Sequence, residues 1–327
     1  MPIGIRNDLR ERLLSAHRKG FCTMPMSASD SHRLREAYRR GDIACPFKGM
    51  YALPEVWESY SPYTREWQKL RTLARKHPNW VFCDVSAAVL YGLDVSYSLL
   101  DQVHVARDKN SHTRSRADIT FDAIHGDTCT QLGITKVTTL ERTVFDCARH
   151  YAFPHALGIA DSALRYSGRD THHFLSYCDD MHKNHRDIWR AKETIELANG
   201  KAENGGESYA RAIMIQQGFM MPKLQVEIQD TIDQSLTYRV DFFWDLSNYA
   251  VAGELDGREK YVNPQMTRGQ DALSVLTDER LRESRITASV RVARFSFADV
   301  LNTSKFCRIL EGFGIPRGFD IPRVALG

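Results

Sequence analysis

YRVDFFWDLSNYAVAGELDGREKY, residues 238–261, reads as two strands joined by a tight turn. Residues 238–244 are β-branched and aromatic, residues 245–248 carry turn formers, and residues 249–255 are apolar again. Acids interrupt this pattern: Asp241 lies inside the first apolar run, and Glu254 and Asp256 close the second. A carboxylate withdrawn from water costs several kcal/mol unless it is paired or binds a metal. Side chains alternate along a strand, so Glu254 and Asp256 share a face. With Leu246-Ser247 as the two-residue loop, Asp241 pairs with Ala252 and becomes a diagonal neighbour of Glu254, about 7–8 Å away. Three acids on one sheet face suit a hard divalent cation.

Around this hairpin the spacing predicts a helix at 207–217, a strand at 224–229, a charged helix at 271–285, a strand at 289–295 and a helix from 297. That order gives an α/β sandwich with a mixed sheet over 204–317. No histidine follows His185, so the ligands on offer are oxygens and the cation is Mg²⁺ or Mn²⁺ rather than zinc. Phosphate-binding loops, nucleophile elbows and HExxH motifs are absent.

The N-terminal residues 1–57 predict helices at 5–18 and 29–40, then a hairpin at 43–53 with Lys48-Gly49 at its turn. Helix, helix, hairpin is the order of a winged helix. Its second helix offers His32, Arg33, Arg35, Arg39 and Arg40, with Lys48 on the wing, as phosphate contacts for double-stranded DNA. Residues 64–170 form a small α/β unit. In it VTTLERTVFDCARH, 137–150, predicts a helix entered through a Thr138/Glu141 capping box, with Arg142 and Asp146 one turn apart. From about Pro154 to Ala202 the chain reads as helical and polar, with 171–203 as a helical connector whose histidines match no zinc spacing.

The chain has 327 residues, room for two or three domains, and a net charge of +3, too small to establish a nucleic-acid partner by itself. Its seven cysteines show no CxxC pair, and neither a signal-peptide core nor a membrane-spanning apolar run is visible. A reducing cytoplasm is the expectation.

The residues also carry two resemblances. Glu207 in GGES, Asp241 in RVDFFW and Glu254-Leu255-Asp256-Gly257 fall in the order of the helix acid, strand acid and acid pair of the PD-(D/E)xK nuclease superfamily. DERLRES, 278–284, and VRVARF followed by Asp299 resemble its very-short-patch repair endonuclease branch. RRGDIACPFKGMYAL and VTTLERTVFDCAR resemble the abortive-infection type IV antitoxin family, whose members begin with a winged helix. The first resemblance implies a restriction-endonuclease-like domain in which Asp241, Glu254 and Asp256 hold Mg²⁺, Glu207 orients the metal shell and a lysine stabilises charge on the phosphate. That lysine usually stands two residues after the second acid. Asp256 stands there instead, and Lys260 is the residue able to reach back. The second resemblance implies the alternative: a non-catalytic antitoxin or repressor, with the nuclease-like domain as scaffold or as a surface for a cognate toxin.

Overall fold

A computed structural model of the chain describes residues 6–108, 113–124, 129–181, 185–230, 233, 235–256 and 290–326. Its contacts divide the chain into two compact units, 1–146 and 147–327, each mixed in helix and strand. No helix among the described residues is long and apolar enough to cross a membrane.

The first unit opens with α1 (Asn7–Arg18) and α2 (Ala28–Arg39). Their apolar stripes, Leu9 and Leu13 on one helix and Leu34 and Ala37 on the other, bury against Ile43, Tyr51 and Leu53. Ser27 caps α2 by accepting from the Asp30 amide at 3.1 Å. Strands β1 (Ala44–Phe47) and β2 (Met50–Ala52) form the expected hairpin, with Gly49 at φ 77° in the turn. Tyr51 also exchanges two backbone hydrogen bonds of 2.8 Å with Thr23, so the hairpin is tied back to the loop between the helices.

After α3 (Pro54–Ser59), α4 (Pro62–Lys76) and α5 (Asp84–Tyr91) accompany a five-stranded sheet. Its strands are β3 (Val81–Phe82), β4 (Val103–Arg107), β5 (Ile119–Ala123), β6 (Cys129–Leu132) and β7 (Thr135–Thr138), in the order β5-β4-β3-β7-β6. The β4–β5 and β3–β7 pairs are parallel and the other two antiparallel.

Strand β7 corrects the expected helix entry. Residues 137 and 138 pair with β6, and α6 spans Leu140–His150. The cap is therefore Thr139, whose hydroxyl accepts from the Arg142 amide at 3.3 Å, while Thr138 contacts the Thr143 hydroxyl at 2.8 Å. The Arg142–Asp146 pair forms as expected, at 2.6 Å and buried. Thr139→Ala should lower stability by about 1 kcal/mol, read as a reduced urea midpoint at an unchanged slope. An unchanged midpoint would deny Thr139 the capping role.

The second unit begins inside α6 and continues with α7 (Phe153–Ser167), α8 (Thr171–Asp180) and α9 (Ile188–Glu196). Sequence spacing ends the middle unit at residue 170 and reads the stretch from about Pro154 to Ala202, which takes in most of α7, as polar. Helix α7 instead buries Phe153 and Leu157 against Ala212 and Ile215 of α10 (Gly205–Gln216), together with Val324 and Ala325 from the C-terminal segment. Asp161 of α7 is buried too. It accepts from Arg211 at 2.7 Å and from the Asn199 amide at 2.6 Å, and Arg211 also donates to the Leu197 carbonyl at 2.6 Å.

Strands β8 (Lys223–Gln229), β9 (Thr237–Leu246), β10 (Tyr249–Asp256) and β11 (Arg291–Ser296) form a four-stranded sheet in the order β11-β10-β9-β8, parallel only between β10 and β11. One face, with Leu224, Phe242, Trp244, Val251, Ala293 and Phe295, packs against α10, α11 (Phe297–Leu301) and α12 (Thr303–Gly312). Each fully buried aromatic there contributes roughly 1.5–3 kcal/mol of transfer free energy. The predicted helix at 271–285 and the DERLRES stretch lie outside the described residues.

Candidate active site

The register of the β9–β10 hairpin places the acids. Tyr249 pairs with Leu246, Val251 with Trp244 and Gly253 with Phe242, so the loop is Ser247-Asn248 rather than Leu246-Ser247. The shift is two residues, which changes every partner but leaves every side chain on its expected face. Continuing the register by one residue sets Asp241 directly across from Glu254, closer than the expected diagonal. Asp241 is fixed there because its Oδ2 accepts from the Leu255 amide at 2.9 Å. Gly253, just before Glu254, runs against the aromatic core. A Cβ built on it would stand 2.8 Å from Trp244 Cζ3 and 3.1 Å from Phe242 Cβ.

Glu207 enters from the first turn of α10. Asn204 caps this helix by accepting from the amides of Gly206 at 2.9 Å and Glu207 at 3.0 Å. The Glu207 carboxylate in turn accepts from the Asn204 side chain at 2.6 Å, the Glu203 amide at 2.8 Å and Gln225 at 3.1 Å. Gln225 reaches it from a β8 position strained to φ 54°. Glu207 is 3% exposed. Burial pushes its carboxyl up to about 7, and the charges of Asp241 and Glu203 push the same way against the Glu203 amide and Gln225 bonds.

Glu254 is buried, and its Oε2 lies 3.4 Å from Arg294 Nη2. Asp256 is more open, and its Oδ1 lies 3.4 Å from Arg294 Nη1. The arginine arrives by register, since parallel β11 sets Arg294 opposite Glu254 and Ser296 opposite Asp256. Lys260 lies outside the described residues. Asp299 is engaged elsewhere: it caps α11 with Ser296 and pairs with Lys305, which holds its carboxyl down at about 2.

Among the described residues no group of three His, Cys, Asp or Glu side chains is arranged to hold a metal ion. The donors of Asp241, Glu254 and Asp256 fit Mg²⁺ or Mn²⁺ in kind, being hard oxygens, but Arg294 stands against two of the three.

The expected DNA-contacting residues of α2 and the hairpin are partly self-neutralised. Arg33 pairs with Asp8 at 3.1 Å, Arg39 with Glu36 at 2.5 Å and Arg40 with Asp42 at 2.8 Å, while Arg35 donates to the Ser31 carbonyl at 3.2 Å. His32 lies on the same helix, and Lys48 is exposed in the hairpin turn. The exposed pairs of Arg33 and Arg39 contribute about 0–1 kcal/mol each, so a phosphate can replace their acids at little cost, whereas Asp42 is nearly buried.

One cluster in the first unit carries no signal in the linear sequence. His104 Nδ1, on β4, lies 2.9 Å from Asp122 Oδ2, on β5, and Cys83 Sγ, just after β3, lies 3.5 Å from the same oxygen. Burial lowers the His104 pKa, but the Asp122 bond and the charges of Asp84, Asp122 and Glu66 outweigh it, and the net shift is upward. Burial raises the Cys83 thiol well above its ordinary value, which leaves it a poor nucleophile.

No family model matches the chain. Two uncharacterized proteins of Mycobacterium tuberculosis, from strain CDC 1551 / Oshkosh and strain H37Rv, are each similar to it, with 29% identity over 184 residues. The match covers 56% of this chain and 65% of each relative, so the chain spans just under two thirds of the length of the curated relatives it matches.

Proposed function

We propose that the chain is a cytoplasmic DNA-binding protein whose second unit hydrolyses DNA phosphodiester bonds with Mg²⁺ or Mn²⁺, on an endonuclease-like PD-(D/E)xK frame. The observation that carries this reading is the meeting of acids at the end of β10. Glu207 is buried with its carboxyl raised to about 7, partly by the charge of Asp241, and Asp241 stands across from Glu254. Strongly perturbed carboxylates concentrate at functional sites. In this reading Asp241, Glu254 and Asp256 hold the cation, and Glu207 orients the metal shell from the start of α10, where Asn204, the Glu203 amide and Gln225 fix its carboxyl. A bound cation supplies a water of lowered pKa and neutralises charge on the phosphate. The first unit, read as a winged helix, supplies duplex affinity through Arg33, Arg35, Arg39, Arg40, His32 and Lys48.

A second reading is favoured by Arg294, which lies against both Glu254 and Asp256. Acids occupied by an internal cation suit a non-catalytic antitoxin or repressor in which the second unit is a scaffold or a surface for a toxin protein.

Supercoiled-plasmid nicking with and without Mg²⁺ or Mn²⁺ separates the two. Metal-dependent nicking supports the nuclease, and none at any metal concentration leaves the repressor. Duplex binding tests the head in either case. Affinity should fall steeply with salt, and Arg33→Ala or Arg39→Ala should each flatten the log–log slope by about 0.9, the share of one neutralised phosphate. Salt-independent binding would remove the winged-helix role.

A further inference from the structure

Arg294 lies 3.4 Å from Glu254 Oε2 and 3.4 Å from Asp256 Oδ1. A well-formed bond between a guanidinium and a carboxylate is about 2.7–2.9 Å, so these two contacts are held by charge more than by directed hydrogen bonds. The side chain is 22% exposed, so it is partly open to an incoming ligand. Strand register, not a loop, delivers the guanidinium to the two acids, because β11 runs parallel to β10 with Arg294 opposite Glu254.

A divalent cation on Glu254 and Asp256 would face a positive charge already beside the same oxygens. Like charges this close repel strongly at a partly shielded site. The guanidinium must therefore move before the acids can serve a metal. A DNA phosphate gives it somewhere to go, since the planar fork of arginine matches phosphate oxygens in a bidentate pair.

We propose that Arg294 is a built-in counter-ion that competes with the divalent cation for Glu254 and Asp256 and is drawn away by a DNA phosphate, so that metal and DNA bind cooperatively. This rests on the metal-binding and DNA-binding parts of the function proposed above. Coupling of this kind is reciprocal: whatever factor the duplex adds to metal affinity, the metal adds to duplex affinity. A protein so built stays metal-poor until DNA reaches it.

The test is Mn²⁺ titration of the full chain, with free Mn²⁺ followed by electron paramagnetic resonance, with and without a short duplex. The wild type should bind Mn²⁺ about 10-fold more tightly when the duplex is present, within the usual range of allosteric coupling. Arg294→Gln should bind Mn²⁺ about 10-fold more tightly than the wild type without duplex, and adding duplex should then change little. Arg294→Met, which keeps the apolar stem, should behave the same way and carries the test if Arg294→Gln does not fold. Adding Glu254→Gln to either variant should remove the gain. Mn²⁺ affinity in the Arg294 variants equal to or below that of the wild type overturns the proposal, as does an undiminished response to duplex. If the coupling appears while the wild type fails to nick plasmid in any metal, the nuclease reading falls and the counter-ion role of Arg294 stands.

Discussion

Asp241→Asn is expected to fold and to bind duplex DNA like the wild type, while losing plasmid cleavage by about 10³-fold or more and losing all stabilisation by Mg²⁺ or Mn²⁺. The substitution is nearly isosteric, and the amide oxygen of asparagine can still accept from the Leu255 N–H that Asp241 Oδ2 accepts at 2.9 Å. What disappears is the charge. That charge also acts on Glu207, whose folded pKa of about 7 lies above its ordinary 4.5. Between those two values the folded state holds a proton that the unfolded state has released, so stability falls as pH rises across that window and is level above it. The loss amounts to about 3 kcal/mol. Asp241→Asn removes one of the charges that raise Glu207, so the variant should lose less stability than the wild type between pH 5 and pH 8. Urea midpoints at those two pH values check it. Equal losses would separate Asp241 from Glu207, and wild-type cleavage by Asp241→Asn would end the nuclease assignment.

The second large effect is on stability alone. Asp161→Ala should destabilise the second unit by about 3–5 kcal/mol, because it strands the buried Arg211 guanidinium without its carboxylate. Against a typical total of 5–15 kcal/mol this is a large share, and it should appear as a lower urea midpoint. The same change releases the Asn199 amide, which Asp161 holds at 2.6 Å, while Arg211 still holds the Leu197 carbonyl. That loop leads directly to Asn204 and the cap of α10. The double variant Asp161→Leu/Arg211→Met should recover much of the loss, since an apolar pair of similar size carries no desolvation penalty. If Asp161→Ala unfolds at the wild-type midpoint, the pair is not what ties α7 to α10.

The hairpin is readable from sequence because period-2 alternation is local, and its faces survive a misplaced loop because the error is an even number of residues. The loop itself is ambiguous. Leu246, Ser247, Asn248 and Tyr249 offer two adjacent choices, and the choice depends on Tyr249 packing in the core of the second unit. The cap at Thr139 escapes a sequence reading because Val137 and Thr138 belong to β7, whose pairing with β6 leaves no trace in a stretch that also fits a helix start. Helix α7 looks polar from its flanks, yet its burial is imposed by α10, some fifty residues later. Arg294 and the His104–Asp122 contact are invisible for a related reason. Both depend on parallel strand pairing between distant segments, and alternation within one strand says nothing about which residue of another strand it will face.

Gly253 sets a limit on how this site can drift over evolutionary time. Aspartate and glutamate can replace one another at many acid positions, and arginine can be traded for lysine, each at the expense of geometry. Position 253 has no such latitude, since even one methyl group would push into Trp244 and the Phe242 Cβ. Overpacking of this kind typically costs 1–3 kcal/mol and shifts the backbone that carries the neighbouring residue. Here the neighbour is Glu254, so a change at 253 disturbs the acid by moving its strand. Divergent sequences sharing this hairpin are therefore better recognised by a glycine opposite an aromatic pair than by the acids themselves.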